Sequence, residues 1–452
     1  MSKQEIRYMG MLDQDVWTAR MHAHSAKEGD HRSPYGIDYA RVVHSEAFRR
    51  LSGVVQILGL ADSAFQRNRL THTLEVGQVA IGMVEQLRAT SPENVVDMLP
   101  SDRLMETISA IHDIGHPPYG HGGEVALNYA MRRHGGFEGN GQTLRLLTKL
   151  VEGSSTRRGA NLTRATLLGA LKYPVPYSMV EKGEVMQDAV SEVNGRPLLV
   201  HGWHEPPKCY LDTEADVVNW LFEPFSAEDQ KQIVATKAKA FLCTIMDRSD
   251  DVAYGVHDLE DALILGMISR DDIVSGPDRI EKSLWDEYLS TQDYGSLTGG
   301  RYEAFLDRLF GDQTKSEIGK IVHYMISNTV ARAREGFESP MYRWEVVIRP
   351  EADRLLTALK RFVMRRVIRA PQVQQLRFKG QQMIVDLFAY YRHDPEHLLP
   401  RHVWCLYSAA DDDMERMRVI CDHVASMTDA GLDRAWRRLF DPTFGSVFDR
   451  LR

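Results

Sequence analysis

Apolar residues spaced three and four apart run through most of this chain, and no convincing stretch alternates every second residue. That pattern restricts the chain to a mostly α fold. In RLTHTLEVGQVAIGMVEQL, Leu70, Leu74, Gly77, Ile81 and Val84 recur on one face, which predicts a single buried stripe. RLMETISAIHDIGHPPYG predicts a helix to about Asp113, broken by Gly115, Pro117 and Pro118, with a new helix in GEVALNYAMRRH. TKAKAFLCTIMDRSDDVAYGVHDLEDALILG reads as one long helical pattern without proline. EADRLLTALKRFVMRRVI, GQQMIVDLFAYYR and DMERMRVICDHVASMTDAGLDRAWRRLF read as later helices.

Two zones break the pattern. Residues 173–210 are rich in Pro and Gly and predict an irregular excursion with room for a short β-hairpin. Residues 269–316 predict a second irregular, insert-like zone. The net charge of −8 argues against an obligate nucleic-acid binder, while leaving room for a local basic groove. The start, MSKQEIRYMGMLDQD, lacks the apolar centre of a signal peptide, and no run is apolar enough to span a bilayer. Cys209, Cys243, Cys405 and Cys421 show no CxxC spacing, so reduced and mostly buried thiols are expected. A cytoplasmic chain without a membrane partner fits these features.

His72, His112, Asp113 and Asp250 are hard to explain as core filling. Two imidazole nitrogens and two carboxylate oxygens make a mixed ligand set for a divalent metal. An octahedral ion held by four protein ligands keeps open positions for water and substrate. A lone histidine in an amphipathic helix is ordinarily structural, but HDIGHPPYGHGGE packs three histidines, an aspartate and a glutamate around Gly and Pro. Such a segment builds a core poorly and breaks a helix where ligands need freedom to converge. The inventory is that of a hydrolytic metal site and points to a phosphohydrolase.

His121 and Glu124 stand at i and i+3 if a helix begins near Gly120, so an imidazole titrating near neutral pH would have a carboxylate to orient it. Asp250 shares a helical face with Tyr254 and Asp258; spacing favours it over its neighbour Asp251 without excluding the latter.

These residues resemble the H…HD…D signature of the HD-domain phosphohydrolases, and HDIGHPPYGHGGE is similar to the deoxyguanosine triphosphate triphosphohydrolase (dGTPase) branch. RSPYGIDYARVVHSEAFRRLSGVVQ, RNRLTHTLEVGQVA, FEGNGQTLRLL, LKYP, DDVAYGVHDLEDAL and RVICDHVASMTD agree with that branch, in order and over nearly the whole chain. The resemblance implies an HD-domain helical fold with additional helices. It also implies one divalent metal per subunit (Mg²⁺ or Mn²⁺ foremost, with Ni²⁺, Co²⁺ and Fe²⁺ as alternatives) and conversion of a dNTP, dGTP favoured, to deoxynucleoside and triphosphate. Homo-oligomers, commonly hexamers, and a dNTP or single-stranded DNA effector follow from the same resemblance.

Carried over by residue, His72, His112, Asp113 and Asp250 match metal ligands, and His121 with Glu124 matches a catalytic pair. Gln56 matches a position near sugar and base, and Asn140 one that reaches the nucleotide. Lys172, Tyr173, Tyr254 and Asp258 match contacts to phosphate or the 3′-hydroxyl. A polyanionic triphosphate also needs cations, for which Arg67, Arg69, Lys172 and Lys208 are candidates. The chain departs from the branch after FRRL, where Ser-Gly-Val-Val precedes Gln56, and around Lys208. The implied organisation is an N-terminal segment (1–31), an HD-type catalytic core (32–268) carrying the 173–210 excursion, and a C-terminal helical region (269–452) packed on the core and contributing subunit contacts. The rival readings are another HD nucleotidase or phosphodiesterase, and a nucleotide or single-stranded DNA sensor with weak catalysis.

Overall fold

Side-chain caps fix where the site-bearing helices begin. Asn68 starts helix α1 (Arg69–Thr90): its Oδ1 accepts from Thr71 N at 3.0 Å, and the Thr71 hydroxyl accepts from Asn68 N at 3.1 Å. Ser101 caps α2 (Asp102–Ile111), and Glu138 caps α4 (Gly139–Arg145). Between them lies α3 (His121–Ala130). The remaining elements that shape the site are α5 (Arg164–Ala170), α6 (Phe241–Val252), α7 (Asp258–Ile264), α8 (Pro350–Val363), α9 (Pro371–His393), α10 (Asp413–Ala425) and α11 (Asp429–Phe440). The structure is a computed structural model that describes residues 10–24, 28–56, 67–151, 159–181, 191–193, 196–198, 205–294 and 300–446.

The fold is mostly α. Two antiparallel pairs of strands accompany the helices among the described residues: β1 (Ser191–Val193) with β2 (Arg196–Leu198), and β3 (Thr329–Ala333) with β4 (Trp344–Ile348). The first pair is the short hairpin expected in the 173–210 excursion; residues 182–190, 194–195 and 199–204 lie outside the described residues. The second pair lies outside that excursion, in a stretch where no alternating pattern stands out. Each of its strands is five residues long, too short to stand out, and Val346 is held by the Thr244 hydroxyl of α6 at 3.0 Å.

Two hydrophobic clusters organise the packing. The first runs from Leu12 to Val367 and takes in α1, α2, α5, α6 and α8. The second joins Val125, Ala126 and Leu127 of α3 to Met383, Ile384, Leu387 and Phe388 of α9, Ile420 and Val424 of α10 and Leu432 of α11. Each fully buried aliphatic or aromatic side chain contributes about 1.5–3 kcal/mol, so both clusters anchor their helices firmly. Consequently α1, α2 and α6 are fixed by one core and α3 by the other, and the segment 112–120 links the two.

Several sequence expectations are corrected. The stripe on α1 is out of phase: Leu74 is 57% exposed, whereas His72, Thr73, Val76, Val79, Ala80, Met83 and Leu87 are buried with Gly77 and Val84. The cause is packing by α2 on one side and α6 on another, which shifts the buried face and turns His72 inward. The long pattern from Thr236 is not one helix. A preceding helix, Ala227–Thr236, stops at Lys237 in the left-handed region (φ 54°), α6 starts at Phe241, and one wide helical turn, Ala253–His257, separates α6 from α7. The zone 269–316 is largely helical rather than irregular, with Arg270–Val274, Lys282–Ser290, Arg301–Leu309 and the start of Thr314–Ser327. Trp285, Tyr288, Phe305, Leu306 and Leu309 bury it in the first cluster. Cys209, Cys243 and Cys421 are buried, Cys405 is exposed, and none is disulfide-bonded. Among the described residues no helix is long and apolar enough to cross a membrane.

Candidate metal and catalytic centre

His72 sits in the first turn of α1, and its Nε2 lies 3.2 Å from Asp250 Oδ1 on α6. His112 closes α2 and donates from Nδ1 to the Ser109 carbonyl at 2.7 Å. A carbonyl only accepts, so Nδ1 carries a proton and Nε2 is the ring atom left for a metal ion. That Nε2 is buried without a hydrogen-bond partner among the described residues, 3.6 Å from Asp113 Oδ1 and 3.8 Å from Asp250 Oδ1. One donor atom each from His72, His112 and Asp113 lie within 4.8 Å of one another. Ligands of an octahedral ion at roughly 2.1 Å lie about 3 Å apart when adjacent and about 4 Å when opposite. The donor chemistry and spacing therefore fit a divalent ion.

The carboxylates are kept ionised by their neighbours. Burial would push Asp113 up, but His116, Arg69 and His112 hold it well below the usual range. Burial likewise opposes ionisation of Asp250, and Lys172, His72 and His112 overcome it. Arg69 is only 3% exposed and places Nη1 2.5 Å from Asp113 Oδ2, leaving Oδ1 toward His112 and His116. Lys172 Nζ stands 3.3 Å from Asp250 Oδ2 and 2.8 Å from Asp247 Oδ1, and Asp247 also binds Lys239 at 2.5 Å. Asp251 turns away to Arg248 at 2.9 Å and to Lys360. The geometry thus brings Asp250, not Asp251, to the cluster.

Beside this cluster His121 is exposed and Glu124 is buried. His121 Nδ1 is 2.5 Å from Glu124 Oε2, while Glu124 Oε1 accepts from Gly139 N at 2.9 Å. The carboxylate is held down mainly by Lys208 and His121 against burial, and the His121 side chain is 68% exposed. Tyr119 (φ 58°) and Gly120 (φ 53°) make the turn that aims His121. A Cβ at Gly120 would come 2.7 Å from Arg69 Nη2, so glycine lets the turn pass over that guanidinium.

The other residues singled out from the sequence fall as follows. Gln56 is half-buried, with Oε1 unpartnered among the described residues. Asn140 donates to Glu138 Oε1 at 2.9 Å, and Lys208 binds the same oxygen at 3.1 Å. Tyr173 lies below Lys208 and Lys239, 5.7 and 5.6 Å from its ring centre. The Tyr254 hydroxyl and Asp258 Oδ2 are buried without hydrogen-bond partners among the described residues, and burial pushes Asp258 well above the usual carboxylate range. Arg67 is committed to Glu75, Glu260 and Asp261.

Two neighbours have no assigned role in the sequence reading. His116 Nδ1 lies 3.0 Å from Asp113 Oδ1, and its ring meets that of His121 at 5.5 Å. Its place in HDIGHPPYGH was the available signal. Arg377 of α9 lies over α3: a Cβ at Gly122 would come 2.6 Å from its Cγ. Its Nη2 is buried and makes no hydrogen bond among the described residues, and Glu124 and Glu205 are the acids nearest in charge. Sequence gives no signal for it.

Residues 346–438 match the family model of the phosphohydrolase-associated domain, which covers α8 through most of α11. The chain is 39% identical over 451 residues, 98% of its length and 100% of the relative, to deoxyguanosinetriphosphate triphosphohydrolase-like protein 2 of Deinococcus radiodurans. It is 40% identical to the deoxyguanosinetriphosphate triphosphohydrolase-like protein of Vibrio parahaemolyticus, over 92% of this chain and 95% of that one. The protein of the same name from Shewanella halifaxensis is 38% identical over 97% and 99%. The helical fold and the associated domain are those of an HD-domain phosphohydrolase, and the chain belongs to the deoxyguanosinetriphosphate triphosphohydrolase-like family of that class.

Proposed function

We propose that this chain is a metal-dependent deoxynucleoside triphosphate triphosphohydrolase, with dGTP the favoured substrate and deoxynucleoside and intact triphosphate the products. The observation that carries the reading is the convergence of His72, His112, Asp113 and Asp250 beside the His121–Glu124 pair. The relatives' names support the choice of substrate.

His72, His112, Asp113 and Asp250 would hold one divalent ion, Mg²⁺ or Mn²⁺ foremost, with Ni²⁺, Co²⁺ and Fe²⁺ as alternatives for the same donors. When bound, such an ion supplies Lewis acidity toward an α-phosphate oxygen. In the reaction a water oxygen bonds to the α-phosphorus, the bond from that phosphorus to the 5′-oxygen breaks, and the 5′-oxygen gains a proton. Glu124 holds the proton on His121 Nδ1, so Nε2 is the atom of His121 that exchanges a proton with the reacting groups. Arg69 keeps Asp113 aimed, a supporting role rather than a phosphate clamp. Lys172, Lys208 and Arg377 offset the charge of the triphosphate, while Tyr173, Tyr254 and Asp258 bound the sugar and phosphate. Gln56 and Asn140 reach the base side. Arg377→Met is expected to raise the KM for the nucleotide about tenfold, the weight of one charge-assisted hydrogen bond; an unchanged KM removes Arg377 from the set. Assembly into homo-oligomers and response to a dNTP or single-stranded DNA rest on the family resemblance, and mass photometry with and without these effectors reads them.

The test is chromatographic analysis of products from each dNTP with Mg²⁺ or Mn²⁺. Deoxynucleoside plus triphosphate supports the proposal. Monophosphate plus pyrophosphate, or no turnover with any dNTP, overturns it.

A further inference from the structure

Asp429, the first residue of α11, does not spend its carboxylate on its own helix. Oδ1 accepts from Tyr119 N at 2.8 Å and Oδ2 from Val55 N at 2.9 Å. Neither of these N–H groups is bonded to a backbone carbonyl among the described residues. Tyr119 is the residue at φ 58° that leads into His121, and Val55 precedes Gln56. The Val54–Val55 segment is itself tied to α1: Val55 bridges Asn68, and Arg69 N donates to Val54 O at 3.0 Å. One side chain from the far end of the sequence thus joins the turn aiming His121, the segment carrying Gln56 and the start of the helix that carries Arg69 and His72.

Neighbouring contacts reinforce this junction. Arg50 Nη1 donates to Met427 O at 3.1 Å, while its Nη2 donates to Ile114 O at 2.9 Å and to His116 O at 2.8 Å. A Cβ at Gly53 would meet the Thr428 methyl at 2.7 Å. Thr428 is the cap of α11, its hydroxyl accepting from Gly431 N at 3.0 Å, so Asp429 is set on a fixed helix end.

We propose that Asp429 is a positioning residue that locks the Tyr119 turn and the Val55–Gln56 segment together, so that the C-terminal helices set the aim of His121. The proposal rests on the function proposed above for its kinetic consequence only. A non-glycine residue at positive φ is held there by its surroundings; the bond from Tyr119 N to Asp429 supplies part of that hold, beside the packing of the Tyr119 ring on Gly380. The phosphohydrolase-associated domain thus supplies, from its last helix, the acceptor for the N–H of the turn that leads into His121.

The experiment compares wild type, Asp429→Ala and Asp429→Asn, the last keeping one acceptor oxygen as a safeguard should the alanine variant not fold. Hydrogen exchange of peptides covering 50–56 and 117–121 is read beside steady-state kinetics and metal content. Expected are faster exchange in both peptides, a kcat lower by about a hundredfold in the alanine variant and less in the asparagine variant, KM changed less than about threefold, and unchanged metal content. In a Tyr119→Gly background, where glycine takes positive φ freely, removing Asp429 should cost less than about tenfold. Unaltered exchange in both peptides, or an undiminished kcat in a well-folded variant, overturns the proposal. So does an equal loss in the glycine background. If the wild type turns over no dNTP, the proposed activity falls, and the exchange measurement alone decides the role of Asp429.

Discussion

His112 Nδ1 lies 2.7 Å from the carbonyl of Ser109, three residues earlier, and this bond turns the opposite nitrogen, buried and without a hydrogen-bond partner among the described residues, toward Asp113 and Asp250. A ring fixed in this way is ready to bind a cation before any cation arrives. Replacing His112 with Ala should therefore reduce bound divalent ion, measured by plasma mass spectrometry after dialysis, from about one per chain to less than about a tenth. The loss follows from removing one of four donors and the ring that orders them. Full retention of the ion would move the metal away from this cluster.

Asp250 and Asp251 are adjacent in sequence and opposite in use. Asp250 faces His72, His112 and Lys172, whereas Asp251 pairs with Arg248 and Lys360. Asp250→Asn should lower kcat/KM by about a thousandfold or more and weaken ion binding. Asp251→Asn should stay within about threefold of wild type and cost about 1 kcal/mol of stability, as a partly exposed ion pair does. Reversed outcomes would exchange their assignments.

Glu124 is 1% exposed and divides its oxygens between His121 and the backbone of Gly139. Glu124→Gln keeps the shape but presents an amide where the imidazole N–H needs a carboxylate. A fall in kcat of about 10²–10⁴ with metal content intact is expected. Equal kcat in the two proteins would remove the pair from the chemistry.

Acid should weaken the second core at His423. Burial, assisted by His402, lowers this imidazole to about 4 from its ordinary 6.5. Below pH 6.5 the unfolded chain takes up a proton that the folded His423 refuses until about pH 4. Stability should therefore fall as pH drops through that window, by about 3 kcal/mol at most. Denaturant titrations from pH 7.5 to 4 compare wild type with His423→Phe, which should lose this component of the slope. Identical slopes would show that His423 is not its source.

What the sequence made legible was local. HDIGHPPYGHGGE stands out because five imidazole and carboxylate side chains crowd a segment that Gly and Pro keep from being a helix core. The face shared by Asp250 and Asp258 could be read from helical spacing, but the wide turn at 253–257 could not, since it depends on how α6 and α7 pack. The zone 269–316 held a usable signal in Trp285, Tyr288 and Leu289 at helical spacing, obscured because its helices are short. Leu74 misled the reading of α1: periodicity finds an apolar stripe, whereas the neighbours α2 and α6 decide which face is buried. Asp429 closes RVICDHVASMTD, one of the segments that resemble the dGTPase branch, but its contacts could not be read from the sequence. Its partners Tyr119 and Val55 are 310 and 374 residues away in the chain, and local spacing shows only a helix-start residue.

The most direct test of the central claim, attack of water on the α-phosphorus with loss of the 5′-oxygen, is turnover of dGTP in ¹⁸O-enriched water followed by mass spectrometry of both products. The account predicts one ¹⁸O in the released triphosphate and none in the deoxyguanosine. Label in the deoxyguanosine, or release of pyrophosphate in place of triphosphate, would contradict it.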